Sequence, residues 1–225
     1  MHPTPSIAPF PHDYRFAHPS GLRTSLRLYG LVRPTGFSDN PTLQPVDIFC
    51  TPCGAGRAIR AFASRLDAEL VARTMPSSGY HVLPLAQLDP TDFISKHNGW
   101  LNVFLACGFG AEPNSPYLAG NDLQSLGWFV HANTGPWVAG RCLHWGEEVT
   151  QTLLDAYQSV GMPNYNTWLN QLDHFNPEAM DDCTFTAWQA LKKLKPMQQN
   201  HRALYNPKDE TWRLSNAPVD IYRPL

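Results

Sequence analysis

A chain of 225 residues, 43% of them hydrophobic, can bury a core of its own without disulfides or metal. Its formal net charge of -2 comes from acidic and basic residues interspersed along the chain, which gives neither a nucleic-acid-binding footprint nor an acidic surface that mimics DNA, so no nucleic acid is expected as a partner. Only 16% of residues are charged while seven are Trp and 21 are Pro, and aromatic area that a core cannot absorb tends to end in an interface.

The N-terminal stretch lacks the basic and apolar regions of a secretory signal, and the cysteines are odd in number at five. Reduced thiols and a cytoplasmic setting follow as the expectation. No segment reaches the roughly 18 to 20 continuous apolar residues of a membrane helix, so no membrane is expected.

In chain order, Pro3, Pro5, Pro9, Pro11 and Pro19 forbid regular helix over residues 1–20 and predict an extended arm, with Phe10, Tyr14 and Phe16 between the prolines. Leu22, Leu26 and Leu28 against Arg23, Ser25 and Arg27 alternate with period two, a strand over residues 22–32 with one wet face. A loop through Asn40 and Pro41 leads to Val46-Asp47-Ile48-Phe49, a short strand that ends in Cys50-Thr51-Pro52-Cys53. From Gly54 to Met75 the apolar positions Ile59, Phe62, Leu66 and Leu70 fall three and four apart, predicting one long helix. Tyr80 to Leu85 reads as a strand. Asp89-Pro90 then caps a short helix reaching about His97.

Trp100 to Cys107 is nearly continuous apolar sequence, as in a central strand covered on both faces. Gly108 to Asn121 reads as a loop, and Phe129-Val130-His131 and Trp137 to Leu143 as a hairpin joined through Asn133-Thr134-Gly135-Pro136. After Gly146 three helices follow, over residues 147–160, 166–175 and 182–195. Residues 203–205 and 211–214 form a terminal hairpin, and Val219 to Tyr222 adds an edge strand. The expected fold is α+β: a mixed β-sheet with one long packed helix and a C-terminal helical layer. Residues 1–20 form the arm, 21–146 the sheet domain, and 147–225 a helical layer with its hairpin, packed on the same domain.

The chemistry-bearing candidates start with Cys50 and Cys53. A helix N-terminus stabilises a thiolate and lowers a cysteine pKa from about 8.5 into the range of about 3.5 to 7.5. The order of strand, Cys-Thr-Pro-Cys and helix resembles that of thioredoxin-like oxidoreductases, and this resemblance implies a thiol-disulfide oxidoreductase with Cys50 and Cys53 as the redox pair. A second possibility is a tetrahedral metal site of Cys50, Cys53, Cys142 and His144, since Cys142 and His144 on one strand point to the same face. Cys107 with His131 is a conceivable nucleophile pair. Glu147-Glu148 and Asp181-Asp182 precede or open helices, where capping and the helix dipole explain them.

The remaining signal is aromatic. Trp128, Trp137, Trp145, Tyr165 and Trp168 are the candidate binding residues, because tryptophan and tyrosine anchor interfaces more often than their frequency suggests. The leading expectation is a non-enzymatic, cofactor-free module that binds another protein, of an inhibitor, immunity or anti-defence type. The oxidoreductase is its alternative.

Overall fold

The computed structural model describes residues 21–35, 46–119 and 122–218. The proline-rich arm, residues 36–45 and the edge strand expected at Val219 to Tyr222 lie outside the described residues. Within them the protein is α+β. The first half holds β1 (Arg23–Thr24), β2 (Tyr29–Pro34), β3 (Val46–Ile48), β4 (Cys50–Cys53), β5 (Gly56–Phe62), α1 (Arg65–Thr74), β6 (His81–Pro84), α2 (Thr91–Lys96) and β7 (Trp100–Gly110). The second holds β8 (Leu118–Ala119), β9 (Asp122–Asn133), β10 (Cys142–Leu143), α3 (Glu147–Ser159), α4 (Tyr165–Asp173), α5 (Pro177–Leu191), β11 (Ala203–Asn206) and β12 (Thr211–Leu214).

Ten strands share one mixed sheet. β7 is its axis: β5 runs parallel to it on one edge, Ile59 opposite Val103, and β9 antiparallel on the other, Val103 opposite Val130. β3 and β4 are two parts of one extended run. It pairs first with β2 and then with β5, handing over at Phe49, whose N–H bonds Leu31 and whose carbonyl accepts from Arg60. β6 lines the far edge of β2. Where β5 leaves β7, β11 takes its place, with Ala203 opposite Phe109. The C-terminal hairpin therefore belongs to the same sheet as the residues near the start.

That exchange of neighbours needs glycine. Gly108 sits at φ 73°, and a Cβ there would stand 2.7 Å from the Ala203 carbonyl oxygen, so β11 approaches through the space that a side chain would fill.

Strict alternation splits the apolar residues between two cores. Ile59, Ala61, Leu101, Val103, Leu105 and Trp128 face one core with α2, α3 and the start of α4. Tyr29, Leu31, Phe62, Ala106 and Phe109 face the other, against α1 and α5. Leu66 and Leu70 of α1 are essentially buried, each worth about 1.5 to 3 kcal/mol of transfer free energy. Two charged side chains enter this side with partners. Arg65 donates through Nη1 to the Phe175 carbonyl at 3.0 Å, and Asp67 accepts from the Gly108 N–H at 2.9 Å.

The structure corrects several sequence expectations. The single strand expected over residues 22–32 is two, Arg23–Thr24 paired with β10 and Tyr29–Pro34 paired in the main sheet, and the second has no wet face over Tyr29–Val32. The long helix from Gly54 is a strand followed by a shorter helix. Ile59 and Phe62 fit a helical stripe, yet they point to opposite faces of β5, and the cover on both faces is what the period concealed. The missed signal is Gly54-Ala55, a two-residue turn with Cys53 opposite Gly56 and Gly54 at φ 56°, as the first position of a type II′ turn requires. The expected hairpin partner at Trp137 to Leu143 is mostly loop; β9 instead pairs with β7, while Cys142–Leu143 runs parallel to β1. α5 starts earlier than expected because Asn176 caps it, accepting from the Ala179 N–H at 2.8 Å, with Pro177 in its first turn.

Candidate binding surfaces

The Cys50-Thr51-Pro52-Cys53 motif occupies a strand of a hairpin, with no helix N-terminus behind it. The dipole and free N–H groups that would stabilise a thiolate are therefore missing from their expected place. Burial instead pushes the Cys50 thiol up to about 11, with Arg57 pulling the other way and Asp47 adding to the rise. Alternation also separates the two thiols: Cys50 packs against the α3-side core, and Cys53, three residues on, projects to the opposite face.

Cys50, Cys53, Cys142 and His144 do not come together, and among the described residues no group of three or more His, Cys, Asp or Glu side chains is arranged to hold a metal ion. Cys107 and His131 fall on opposite faces of the sheet. Cys107 is wholly buried, and burial pushes its thiol up to about 12 against opposing pulls from Arg202 and Tyr157. A thiol held protonated and away from solvent is no nucleophile.

The five aromatic candidates gather on the α3 side. Trp128 and Tyr165 are core residues at 4% and 6% exposure, with Tyr165 stacked on Tyr157 at a centroid distance of 4.7 Å. Trp137, Trp145 and Trp168 are half-buried or nearly so and pack against the same core. Trp168 carries the Lys208 ammonium over its ring at 5.8 Å.

Sequence reasoning missed a different aromatic surface on the other face. The run that begins at Val46 alternates: Val46, Ile48 and Cys50 pack on the α3-side core and Phe49 on the α1-side core, so Asp47, Thr51 and Cys53 fall on the same face as Phe49. There they join Arg33 and Tyr80, then Arg60 of β5, Phe104 and Asn102 of β7, and Phe129 and His131 of β9. The groups interlock across strands. Arg33 bonds Asp47 at 2.6 Å and lies over the Tyr80 ring at 5.2 Å; Tyr80 meets Phe49 edge-on.

Arg60 lies between two rings, 4.9 Å from the Phe49 centroid and 5.5 Å from that of Phe104, and donates to the Thr51 hydroxyl at 3.3 Å. Phe104 meets Phe129 edge-on. Phe129 in turn lies parallel to His131, whose Nδ1 is 2.9 Å from the Asn102 side-chain oxygen.

Exposure grades along this face. Phe62, Ala106 and Phe109 are fully buried in the core with α1 and α5, Phe104, Phe129 and Arg60 are half-buried, and Trp100 at the start of β7 is 43% exposed. Val138 stands 61% exposed in the loop that Thr134 ties to Gly99, at the same end of β7. No short-range pattern announces this row, because its members come from six strands and from Tyr80 just ahead of β6. Only the alternation of residues 46–53 hinted at it.

A second surface lies between α5 and β12. A shallow groove of about 530 Å³ is lined from α5 and its end by Phe185, Gln189, Lys193 and Leu194, and from the hairpin by Glu210 and Trp212. No helix among the described residues is long and apolar enough to cross a membrane. Comparison with family models, curated proteins and solved structures finds no match to this chain.

Proposed function

We propose that this protein is a non-enzymatic binding module that acts by direct contact with another protein, as an inhibitor, immunity or anti-defence factor does. The observation that carries the reading is the graded aromatic and guanidinium row from Tyr80 to His131, continued by exposed Trp100. Such rings and arginines are the residue types that concentrate binding energy, and a partner that covers them strengthens their mutual contacts by removing water. A cation over a ring is worth about 0.5 to 1 kcal/mol in solvent and about 2 when desolvated, and Arg60 has two such contacts.

Affinity capture from cells that make the protein tests this, with Trp100→Asp plus Phe129→Asp as the variant and Gln198→Asp, an exposed position off this face, as the control. Wild type and control recover the same partner, and the double variant recovers it at least about tenfold less. Equal recovery by all three, or no partner above background with wild type, removes the reading.

A further inference from the structure

We infer that the groove between α5 and β12 is a second docking site, built to take an extended segment of a partner protein that adds to the sheet as a strand. Three observations converge there. β12 pairs with β11 on one edge, and no described strand lies on its other edge. Ser215 bonds inward to the Arg202 carbonyl at 2.8 Å, so the alternation of an antiparallel ladder turns the N–H and C=O of Trp212 and Leu214 outward. These are directional groups that an incoming backbone satisfies.

Beside this edge runs α5, and the space between helix and strand is the groove itself. Its floor is fixed: the Trp212 indole N–H donates to the Ala187 carbonyl at 2.9 Å, which holds the ring against the helix. Its outer wall is Phe185, 50% exposed. A strand lying along β12 presents alternate side chains to one face, so every second residue of the segment falls between Phe185, Leu194 and Trp212. Those positions call for apolar side chains.

Charge specifies the rest. Lys193 lines the groove on the helix side and Glu210 on the hairpin side, both are exposed, and neither makes an ion pair among the described residues. The neighbouring Arg73, Asp181, Asp209 and Arg213 are already paired, Arg73 with Asp181 and Arg213 with Asp209. The fitting segment is therefore extended, with alternating apolar residues, an acidic residue reaching Lys193 and a basic one reaching Glu210. This site is independent of the open sheet face, since it uses a different edge and none of the same residues.

The test is selection of a random dodecapeptide display library on the full chain, followed by binding measurements with the synthetic peptides recovered. Peptides with alternating apolar residues and an acidic residue are expected. Their affinity falls at least about tenfold in Phe185→Asp and in Lys193→Glu, and replacing the peptide's acid by lysine restores binding to Lys193→Glu. The amides of Trp212 and Leu214 become protected from hydrogen exchange in the complex.

Phe185 and Lys193 are exposed, so both variants keep the wild-type melting curve, which is recorded alongside. Failure to enrich any sequence, or peptides that bind both variants as tightly as wild type, overturns the inference. So does a wild-type dimer that Phe185→Asp dissociates, which would assign the groove to a second copy of the chain.

Discussion

The α1-facing side of the sheet has a closed half and an open half, built from the same strands with the same alternation. In the closed half Phe62, Ala106 and Phe109 lie in the core with α1 and α5, and each buried charge has a backbone partner: Arg65 the Phe175 carbonyl, Asp67 the Gly108 N–H. In the open half the charged and polar groups bond to other side chains, Arg33 to Asp47, Arg60 to Thr51 and His131 to Asn102. What differs is cover. Under α1 the alternation makes a core, and beyond it the same alternation makes a surface whose polar groups stay reachable.

The largest test of this contrast lies where the halves meet. A Cβ on Gly127 would stand 2.2 Å from the Leu105 carbonyl oxygen and 2.9 Å from its carbon, both backbone atoms of the facing strand. Gly127→Ala therefore forces β9 off β7, with an expected loss at or above the usual overpacking range of about 1 to 3 kcal/mol in urea denaturation. Within the closed half, Leu70→Ala costs about 2 to 5 kcal/mol. In the open half, Trp100→Ala changes stability by about 0.5 kcal/mol or less while lowering capture of the proposed partner. If Trp100→Ala costs as much as Leu70→Ala, the two halves do not differ in cover.

The next test is electrostatic. Burial raises the Asp67 carboxyl to about 7, against opposing pulls from the Gly108 N–H and Arg202. Its unfolded value is about 3.9, so the folded state binds the extra proton between about pH 4 and 7. The stability this confers is fully present below about pH 4, declines as pH rises through that window and is gone above it. At about 1.4 kcal/mol for each pH unit of separation, the loss is at most about 4 kcal/mol. Asp67→Asn keeps an acceptor for Gly108 and carries no charge. Denaturation midpoints measured from pH 4 to 8 should fall less for this variant than for wild type. An identical slope in both would place the proton elsewhere.

Much of the fold was legible because local patterns determine it. The central strand from Trp100, the short helix after Asp89-Pro90, the helices after Gly146 and the hairpin of β11 and β12 each carry their own period or cap. β5 was not, because a strand covered on both faces shows apolar residues in any register, and Ile59, Phe62, Leu66 and Leu70 satisfy a helical spacing by coincidence. The candidate surfaces were less legible still. Trp128 and Tyr165 drew attention as aromatics, but which face of a strand or helix receives cover is decided by elements remote in sequence. The row of Phe49, Arg60, Phe104 and Phe129 exists only once four strands are side by side.

The smallest effect concerns the cysteines, and it bears on the redox alternative. Cys142 is exposed, Cys50 is half-buried with its thiol pushed up to about 11, and Cys107 is sealed with its thiol at about 12. Since the thiolate is the reacting species, alkylation of the folded protein at pH 8 should modify Cys142 first, Cys50 much more slowly, and Cys107 only on unfolding. Because the Cys50 and Cys53 side chains leave opposite faces of β4, mild oxidation should not join them, and Cys50→Ser with Cys53→Ser should leave partner capture unchanged. The melting point should move little, since neither thiol is fully buried. Mass spectrometry of the alkylated peptides gives the order directly. Rapid labelling of Cys50, or a Cys50–Cys53 disulfide that forms and reduces reversibly without unfolding, would show that the hairpin opens, and would return the motif to redox chemistry.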